Sequence, residues 1–347
     1  MKILITGNLG YVGAYLCQYL RSQYPQAMIV GYDLGYFRDC LTTRSSPPED
    51  ALDIQYQGDV RNFDESILKG VDHVVHLAAI SNDPIGNRFE QVTLEVNYRA
   101  SVDIAVKAAN QGVKSFVFAS SCSVYGAAGD EAKTERSDVN PLTAYARSKV
   151  LTEEALQKLN DDRMIVTCLR FATACGMSDR LRLDLVLNDF VASAITSGNI
   201  TILSDGTPWR PLISVKDMAR AIDWAMNRSV DKGGRFLICN TGCNQWNFTV
   251  KALADHVRDV VPDVQVHVNH AAPPDKRSYR VNFDLFRSYA NGHSPVCTLT
   301  GTIQEIRNGL SDIRFTDPDF RNSAWMRLNV LNKLLQLGKV DANLNWI

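Results

Sequence analysis

This sequence of 347 residues has no long apolar run, no large net charge and no Cys-x-x-Cys pair. No stretch reaches the roughly 20 apolar residues of a transmembrane helix, and the apolar start is interrupted at Gly7, too early for a signal peptide. The formal net charge of −1 gives no electrostatic basis for binding nucleic acid or an anionic membrane. We therefore expect a cytoplasmic protein with neither of those partners.

The eight cysteines form no Cys-x-x-Cys pair, and most of them lie within apolar stretches. This pattern predicts buried free thiols in a reducing compartment, and neither a disulfide framework nor a zinc site. We therefore expect no bound metal. The chain also contains no internal repeat and no low-complexity segment.

Short apolar runs alternate with longer amphipathic stretches in the first half of the chain. Such alternation predicts an α/β fold with a doubly wound parallel sheet of the Rossmann type. The predicted strands are 2–6, 28–32, 54–57, 74–79, 116–120 and 165–171, and the predicted helices are 11–22, 89–110 and 143–159.

The pattern loosens after Ala172, where loops rich in Gly, Asp and Pro separate shorter elements. We expect a first, nucleotide-binding domain over residues 1–172, to which residues 211–248 return. Residues 173–210 and 249–347 are predicted to form a smaller, mixed α/β lobe for the substrate, above the carboxyl ends of the strands. Residues 323–337 are predicted to be a helix.

A glycine-rich turn, Gly7-x-x-Gly10-x-x-Gly13, stands between the first predicted strand and the first predicted helix. Glycines there allow a tight turn and let the backbone, with Tyr11 and Val12 at the helix start, approach a diphosphate closely. Asp33 follows the second strand at the distance expected for a carboxylate that accepts hydrogen bonds from the adenosine ribose.

The predicted cofactor is therefore NAD, because a carboxylate at position 33 repels a 2′-phosphate. Arg38 and Arg44 lie close enough in sequence to leave NADP open as an alternative.

Tyr145 and Lys149 are four residues apart on one predicted helix and so share a face. An ammonium beside a phenol, together with an oxidised nicotinamide, lowers the phenol pKa and makes it a usable base. Ser121, at the end of a predicted strand, is the candidate partner of the substrate hydroxyl, although such serines also satisfy strand ends. Asn97 is a candidate for fixing a water or carbonyl behind Lys149, or else simply polar surface.

The resemblance is to the extended short-chain dehydrogenase/reductases. It is based on the glycine-rich turn, Asp33, the pair Tyr145 and Lys149, and the segments 58–60, 76–79 and 120–121. More narrowly, they resemble the NAD-dependent nucleotide-sugar epimerase/dehydratase group. The similarity continues through residues 180–190, 205–217 and 274–277. It implies a nucleotide-diphosphate sugar as substrate and a homodimer formed by the helices that carry Asn97 and Tyr145.

The resemblance also implies the members of the site. Tyr145, Lys149 and Ser121 are the expected catalytic residues. The expected cofactor-binding residues are Gly7, Gly10, Tyr11, Val12, Gly13, Asp33, Asp59, Val60, Leu77, Ala78, Ala79, Asn97, Ser120, Tyr145 and Lys149, and the expected substrate-binding residues are Ser121, Ser123, Thr173, Asn188, Arg210 and Arg277.

Two departures from the family pattern narrow the reaction. Sugar 4,6-dehydratases of this family carry acidic residues at the positions of Cys122 and Ser123, and dehydration needs an acid and a base there. The leading prediction is therefore oxidation at C4 by a nucleotide-sugar 4-epimerase. The alternatives are a 4-dehydrogenase or 4-ketoreductase, a dehydratase that uses Cys122, and a non-catalytic dinucleotide sensor. Residues 316–347 extend past the usual family end, and the sequence gives them no function.

Overall fold

Twelve strands and eleven α-helices make up the computed structural model, which describes residues 1–42, 46–81, 83–129, 131–159, 163–269, 271–272 and 277–347. The strands are β1 (Lys2–Thr6), β2 (Met28–Asp33), β3 (Ile54–Gln57), β4 (His73–His76), β5 (Ser115–Ser121), β6 (Ile165–Phe171), β7 (Thr173–Cys175), β8 (Asn199–Ile202), β9 (Trp209–Ser214), β10 (Phe236–Thr241), β11 (Asn247–Thr249) and β12 (Gln265–Val268). The helices are α1 (Tyr11–Gln23), α2 (Asp83–Arg88), α3 (Glu90–Leu94), α4 (Ala100–Asn110), α5 (Ala144–Lys158), α6 (Val186–Ser197), α7 (Val215–Asn227), α8 (Val250–Val260), α9 (Asp284–Tyr289), α10 (Leu299–Asp312) and α11 (Arg327–Gln336).

Seven of the strands form one parallel sheet in the order β10-β6-β5-β4-β1-β2-β3. Alternate side chains of each strand point to opposite faces, so both faces must be apolar. Ile3 and Ile5 of β1 pack on one face with residues of α1 and α7. Leu4 packs on the other face with residues of α4 and α5. The predicted α/β fold with a doubly wound parallel sheet is confirmed.

The remaining strands form two small sheets. One has the order β11-β9-β7, and the other pairs β12 with β8. Strand β10 returns to the large sheet beside β6, as expected. At the two ends of the predicted returning segment 211–248, β9 and β11 belong to a small sheet. The division into two lobes at Ala172 stays a prediction.

Two predicted elements differ from the structure. The strand predicted over 74–79 ends at His76, and Leu77–Ala79, although apolar, leave the sheet. The helix predicted over 89–110 is interrupted by a π-helical turn at Glu95–Arg99, a departure that often accompanies functional sites.

At the chain end, α11 begins at Arg327 and not at 323, because Ser323 closes a preceding 3₁₀ turn by donating its hydroxyl to the Phe320 carbonyl. Within the described part of the chain, no helix has the length and apolar character needed to cross a bilayer. Arg44 and residues 274–276 of the second cationic segment lie outside the described residues.

Candidate active site

One cavity of about 1200 Å³ lies at the carboxyl ends of the strands in the large sheet. Nineteen of the predicted site residues line this cavity, although they come from widely separated parts of the chain. They are Gly7, Gly10, Tyr11, Val12, Gly13, Asp33, Asp59, Val60, Leu77, Ala78, Ala79, Ser120, Ser121, Ser123, Tyr145, Lys149, Thr173, Arg210 and Arg277. Two predicted residues, Asn97 and Asn188, do not line it.

The glycine loop has the close packing that a dinucleotide site needs. Gly7 has φ +76°, and a Cβ built on it would lie 2.5 Å from the Ala78 nitrogen. A Cβ on Gly13 would lie 2.5 Å from Asn8 Cα. Gly10 is the N-cap of α1, which has no side-chain cap and no acidic residue in its first turn. The N–H groups of that turn therefore suit a diphosphate, and the loop fits the cofactor.

Asp33 is the last residue of β2, and two main-chain N–H groups hold its carboxylate in place. Its carboxylate accepts hydrogen bonds from the Leu9 N–H at 3.0 Å and from the Gly35 N–H at 2.7 Å. Burial raises the pKa of Asp33, and these two bonds act in the opposite direction. A carboxylate oxygen has two lone pairs, so each oxygen can still accept a ribose hydroxyl. Arg38 is exposed and does not line the cavity.

Asp59 has a different environment from Asp33. The Arg61 Nε lies 3.1 and 3.0 Å from the two Asp59 carboxylate oxygens, and one of these oxygens also accepts the Arg61 main-chain N–H. The carboxylate is therefore neutralised by its neighbour, while the residue itself lines the cavity with Val60.

Tyr145 and Lys149 lie in the first half of α5. Thr143 is the N-cap of this helix, and its hydroxyl accepts a hydrogen bond from the Ala146 N–H. Lys149 is 3% exposed, and its Nζ donates to the Ala119 carbonyl at 2.7 Å. That nitrogen also lies 4.7 Å from the centre of the Phe118 ring and 5.4 Å from the centre of the Tyr145 ring. The predicted shared face of the pair is therefore present.

The protein groups around Tyr145 do not by themselves lower the pKa of its phenol, and the expected lowering also depends on the charge of an oxidised nicotinamide. Burial raises the pKa of Tyr145 to about 12, and a hydrogen bond from Ser121 and the charge of Arg182 lower it only in part. Burial also lowers the pKa of Lys149 to about 7, against the charge of Glu153. Desolvation therefore dominates both groups, and the phenol keeps its proton at neutral pH.

A buried charged network behind Lys149 was not anticipated. Glu153 is 2% exposed, accepts two hydrogen bonds from the Arg170 Nε at 3.0 and 3.1 Å, and accepts the hydroxyl of Ser120. Ser120 lines the cavity, so this network fixes the strand end on which Ser121 stands. The signal was present in the sequence, since Glu153 follows Lys149 by four residues on the same helical face.

Arg182 is a second residue that the sequence interpretation missed. It is 8% exposed, lines the cavity and forms a paired contact with Asp184, with Nε to Oδ1 at 2.8 Å and Nη2 to Oδ2 at 3.1 Å. Its Nη1 donates to the Ser81 hydroxyl at 2.9 Å. The sequence signal was the alternation of two charged residues with leucines over 181–185, which places both charges on one side of the chain.

Asn97 and Asn188 hold backbone behind the cavity wall. Asn97 is fully buried, and its amide both accepts the Ile80 N–H at 2.8 Å and donates to the Ile80 carbonyl at 2.9 Å. Asn188 accepts the Gly176 N–H at 3.0 Å and donates to the Arg182 carbonyl at 2.9 Å. In the structure both residues hold backbone next to the cavity, and for Asn97 the bond to the Ile80 carbonyl agrees with the expectation that it fixes a carbonyl. Direct contact of either residue with a ligand stays a prediction.

Arg210 and Arg277 meet at the other side of the cavity, where the Arg210 Nη1 donates to the Arg277 carbonyl. Arg277 Nη1 lies 2.9 Å from Asp83 Oδ2. Ser123 also faces this space, and its buried hydroxyl has no hydrogen-bond partner within the described residues. Two guanidinium groups and a hydroxyl are thus collected from three distant segments.

Cys122 is packed away from the cavity. It is 1% exposed, its thiol donates to the Arg170 carbonyl at 3.0 Å, and burial raises its pKa. The structure therefore gives it the environment of an apolar core residue. Among the described residues, no three His, Cys, Asp or Glu side chains come together as a metal site.

The model of the NAD dependent epimerase/dehydratase family matches residues 3–239, which is more than half of the chain. A Bacillus subtilis (strain 168) protein described as an uncharacterized UDP-glucose epimerase is 27% identical over 230 residues, which cover 64% of this chain and 71% of that protein. UDP-glucuronic acid decarboxylase 6 of Arabidopsis thaliana is 26% identical over 288 residues, covering 80% and 79%.

The solved structure of TunA, an NAD dependent NDP-hexosamine 5,6-dehydratase involved in tunicamycin biosynthesis, superposes with a TM-score of 0.76 at 22% identity. The match covers 92% of this chain and 99% of TunA. At that identity the likeness shows the fold alone. The named activities of these proteins differ from one another, and the family match extends through the glycine loop and the Tyr145 helix. The chain belongs to the NAD-dependent epimerase/dehydratase family, and its cofactor is NAD.

Proposed function

We propose that this protein oxidises C4 of a nucleotide-linked sugar and reduces it again on the other face, as a nucleotide-sugar 4-epimerase. One observation carries the proposal: Tyr145, Lys149 and Ser121 line the same cavity as the glycine loop and Arg210. At about 1200 Å³ the cavity exceeds the roughly 300–1,000 Å³ of a pocket for one ligand, which suits a dinucleotide and a nucleotide sugar together.

Tyr145 acts on the proton of the sugar 4-hydroxyl. When bound, NAD supplies a hydride acceptor and the positive charge of its oxidised nicotinamide ring. The phenol needs such a charge, because burial alone raises its pKa to about 12. Beside that charge Tyr145 acts as the phenolate: its oxygen takes the proton of the sugar hydroxyl and gives the same proton back when the ketone is reduced, so Tyr145 returns to the phenolate and the proton count closes over one cycle.

Ser121 and Lys149 prepare that proton transfer. Ser121, which lines the cavity beside Tyr145, lowers the pKa of the phenol and so favours its ionised form. Lys149, with its pKa lowered to about 7, exists near neutral pH as both ammonium and amine, so it can adjust its charge beside the phenol. Its hydrogen bond to the Ala119 carbonyl holds Nζ in place.

The other side of the cavity suits the diphosphate and the sugar. Arg210 and Arg277 offer guanidinium forks, which match the geometry of phosphate oxygens. The Ser123 hydroxyl, without a partner in the described residues, is placed for a sugar hydroxyl. Dehydration is disfavoured, because Cys122 does not line the cavity and no acid stands at position 123.

A panel of nucleotide sugars tests the proposal. UDP-sugars come first because several relatives are named for them, followed by GDP-, CDP- and dTDP-sugars. Products are followed by NMR and the cofactor by NADH absorbance. Inversion at C4 without net NADH is the expected result. Stoichiometric NADH would instead identify a 4-dehydrogenase, and loss of water a dehydratase, and either result would overturn the epimerase assignment.

We also propose that the protein forms a homodimer through α4 and α5. The outer faces of these helices expose two large apolar side chains, Val106 at 39% and Leu151 at 37%. Replacing both by Glu is expected to convert a dimer into a monomer in analytical ultracentrifugation. A wild-type chain that sediments as a monomer would contradict the proposal.

A further inference from the structure

The C-terminal segment, residues 316–347, lies beyond residues 3–239 that the family model matches, and the proposed reaction uses none of it. Its last part packs along one side of the cavity. Helix α11 of this part contributes Leu331 to the cavity lining, and the residues after it continue toward β2. We call residues 327–347 the C-terminal clasp.

The end of the clasp is bonded to the loop that follows β2. The Tyr36 hydroxyl donates to the Leu344 carbonyl, and the Trp346 indole N–H donates to the Leu34 carbonyl at 2.9 Å. The rings of Tyr36 and Trp346 also lie 5.7 Å apart. Leu34 and Tyr36 line the cavity directly after Asp33, so the clasp fixes the loop that borders the adenosine end of the cofactor site.

A third bond connects the clasp to Asp59. Arg61 Nη1 donates to the Asn343 carbonyl at 2.8 Å while its Nε contacts both Asp59 carboxylate oxygens. One guanidinium therefore joins the chain end to a second segment of the cofactor site. The two segments, after β2 and after β3, are held by consecutive residues of the clasp.

The clasp is anchored by an apolar cluster and not by its polar bonds alone. Leu331, Val340 and Leu344 are 2%, 2% and 0% exposed, and they pack with Ile80 and Ile85. Ile80 and Ile85 line the cavity themselves: Ile80 directly follows Ala79, and Ile85 lies in α2. A chain end that buries three apolar side chains this completely is a fixed part of the fold.

We propose that the C-terminal clasp retains NAD in its cleft from one turnover to the next. The loops after β2 and β3 border the cofactor site, and the clasp holds both of them against the cluster around Ile80. A movement of these loops that lets NAD out would require the clasp to leave its apolar contacts, which would make release slow.

Slow release deepens the proposed function, on which this inference rests. A cofactor that stays in place must be reoxidised by the same sugar before the product leaves. The clasp therefore favours a closed redox cycle over a dehydrogenase or ketoreductase that exchanges NADH with solution at every turnover. The reduced and oxidised forms balance within the site, and no external electron acceptor is needed.

The release rate of NAD tests the clasp without any sugar. Protein loaded with NAD is mixed with excess NADH, and the rise of bound-NADH fluorescence reports NAD leaving. Leu344→Ala, which opens the apolar anchor, is expected to release NAD about tenfold faster or more, a change that corresponds to roughly 1.4 kcal/mol. Trp346→Phe, which removes only the indole N–H bond to Leu34, is expected to give a smaller acceleration.

Leu337→Ala is the matched control, because Leu337 belongs to the same segment and is 58% exposed. It should release NAD at the wild-type rate. Trp346 is partly exposed, at 39%, so the Phe variant keeps the test valid if Leu344→Ala does not fold. Wild-type release rates in both Leu344→Ala and Trp346→Phe would overturn the proposal.

The two proposals fail separately. Faster NAD release in Leu344→Ala, with no C4 chemistry on any sugar of the panel, would support the role of the clasp and contradict the epimerase assignment. Epimerisation with unchanged NAD release in the variants would support the epimerase assignment and contradict the role of the clasp.

Discussion

Two groups of residues that line the cavity are held in different ways. One group of lining residues, which we call the near wall, comprises Gly7, Asp33, Tyr145 and Lys149, each of which belongs to a short sequence pattern. A second group, which we call the far wall, comprises Arg182, Arg210 and Arg277 and is held by contacts between distant segments, such as Arg277 with Asp83, which are 194 residues apart. The near wall therefore follows local backbone rules, while the far wall depends on the finished fold.

The largest expected effect tests the chemistry assigned to the near wall. Tyr145→Phe removes the hydroxyl that exchanges the proton and keeps the ring, so turnover should fall by about 100- to 10,000-fold. NAD binding, measured by calorimetry, should be unchanged. Tyr56→Phe, a tyrosine that is 39% exposed on β3, is the control and should keep full activity. Turnover that survives Tyr145→Phe would show that another group moves the proton.

This contrast also explains what could be predicted from the sequence. The glycine loop and the pair Tyr145 and Lys149 were predictable, because a tight turn and a helical face depend on residues within a few positions of one another. Leu77–Ala79 were wrongly extended as strand, because apolar residues that line a cavity resemble those of a buried strand.

The far wall was harder for a physical reason. Arg182 donates a hydrogen bond to Ser81, which is 101 residues away in the sequence, and no local pattern predicts a contact at that separation. The main-chain partners of Asn97 and Asn188 could not be predicted either, because a polar residue directed inward satisfies main-chain groups as readily as it binds a ligand. The cost of burying Tyr145, which raises its pKa, cannot be read from the spacing of Tyr145 and Lys149.

A pair of glycine variants isolates the fit of the cofactor loop. Gly7 and Gly112 share φ +76°, but a Cβ on Gly7 would lie 2.5 Å from the Ala78 nitrogen, whereas nothing lies within 4 Å of one on Gly112. Both alanine variants carry the same backbone strain, so the difference between them is the clash, about 1–3 kcal/mol. Gly7→Ala should bind NAD about tenfold to a hundredfold more weakly than Gly112→Ala, by calorimetry. Equal NAD affinities would contradict the assigned role of the loop.

The far wall should respond in substrate affinity and not in cofactor binding. Arg210→Lys keeps the charge but loses the paired fork, so KM for the nucleotide sugar should rise by up to about tenfold, with NAD affinity unchanged. Arg287→Lys, at a side chain that is 71% exposed on α9, is the matched control. A change in NAD affinity with an unchanged KM would place Arg210 on the wrong side of the cavity.

A further prediction is a pH dependence of stability from Lys149. Its pKa is lowered from 10.5 to about 7, so between these values the unfolded chain binds a proton that the folded chain lacks. This group therefore adds to the free energy of unfolding as pH rises, by at most about 1.4 kcal/mol per pH unit. Urea unfolding of Lys149→Met should lack this rise, while Lys158→Met should follow wild type. If the free energy of unfolding rises equally with pH in wild type and in Lys149→Met, burial does not lower the pKa of Lys149.

The fate of the hydrogen on C4 tests the central claim most directly. A sugar from the panel that reacts is prepared with deuterium at C4, and its product is analysed by NMR. The account predicts that deuterium remains at C4 of the inverted sugar, with none in the solvent and no net NADH. Deuterium lost from C4 to the solvent would contradict transfer of that hydrogen to bound NAD and its return to the same carbon.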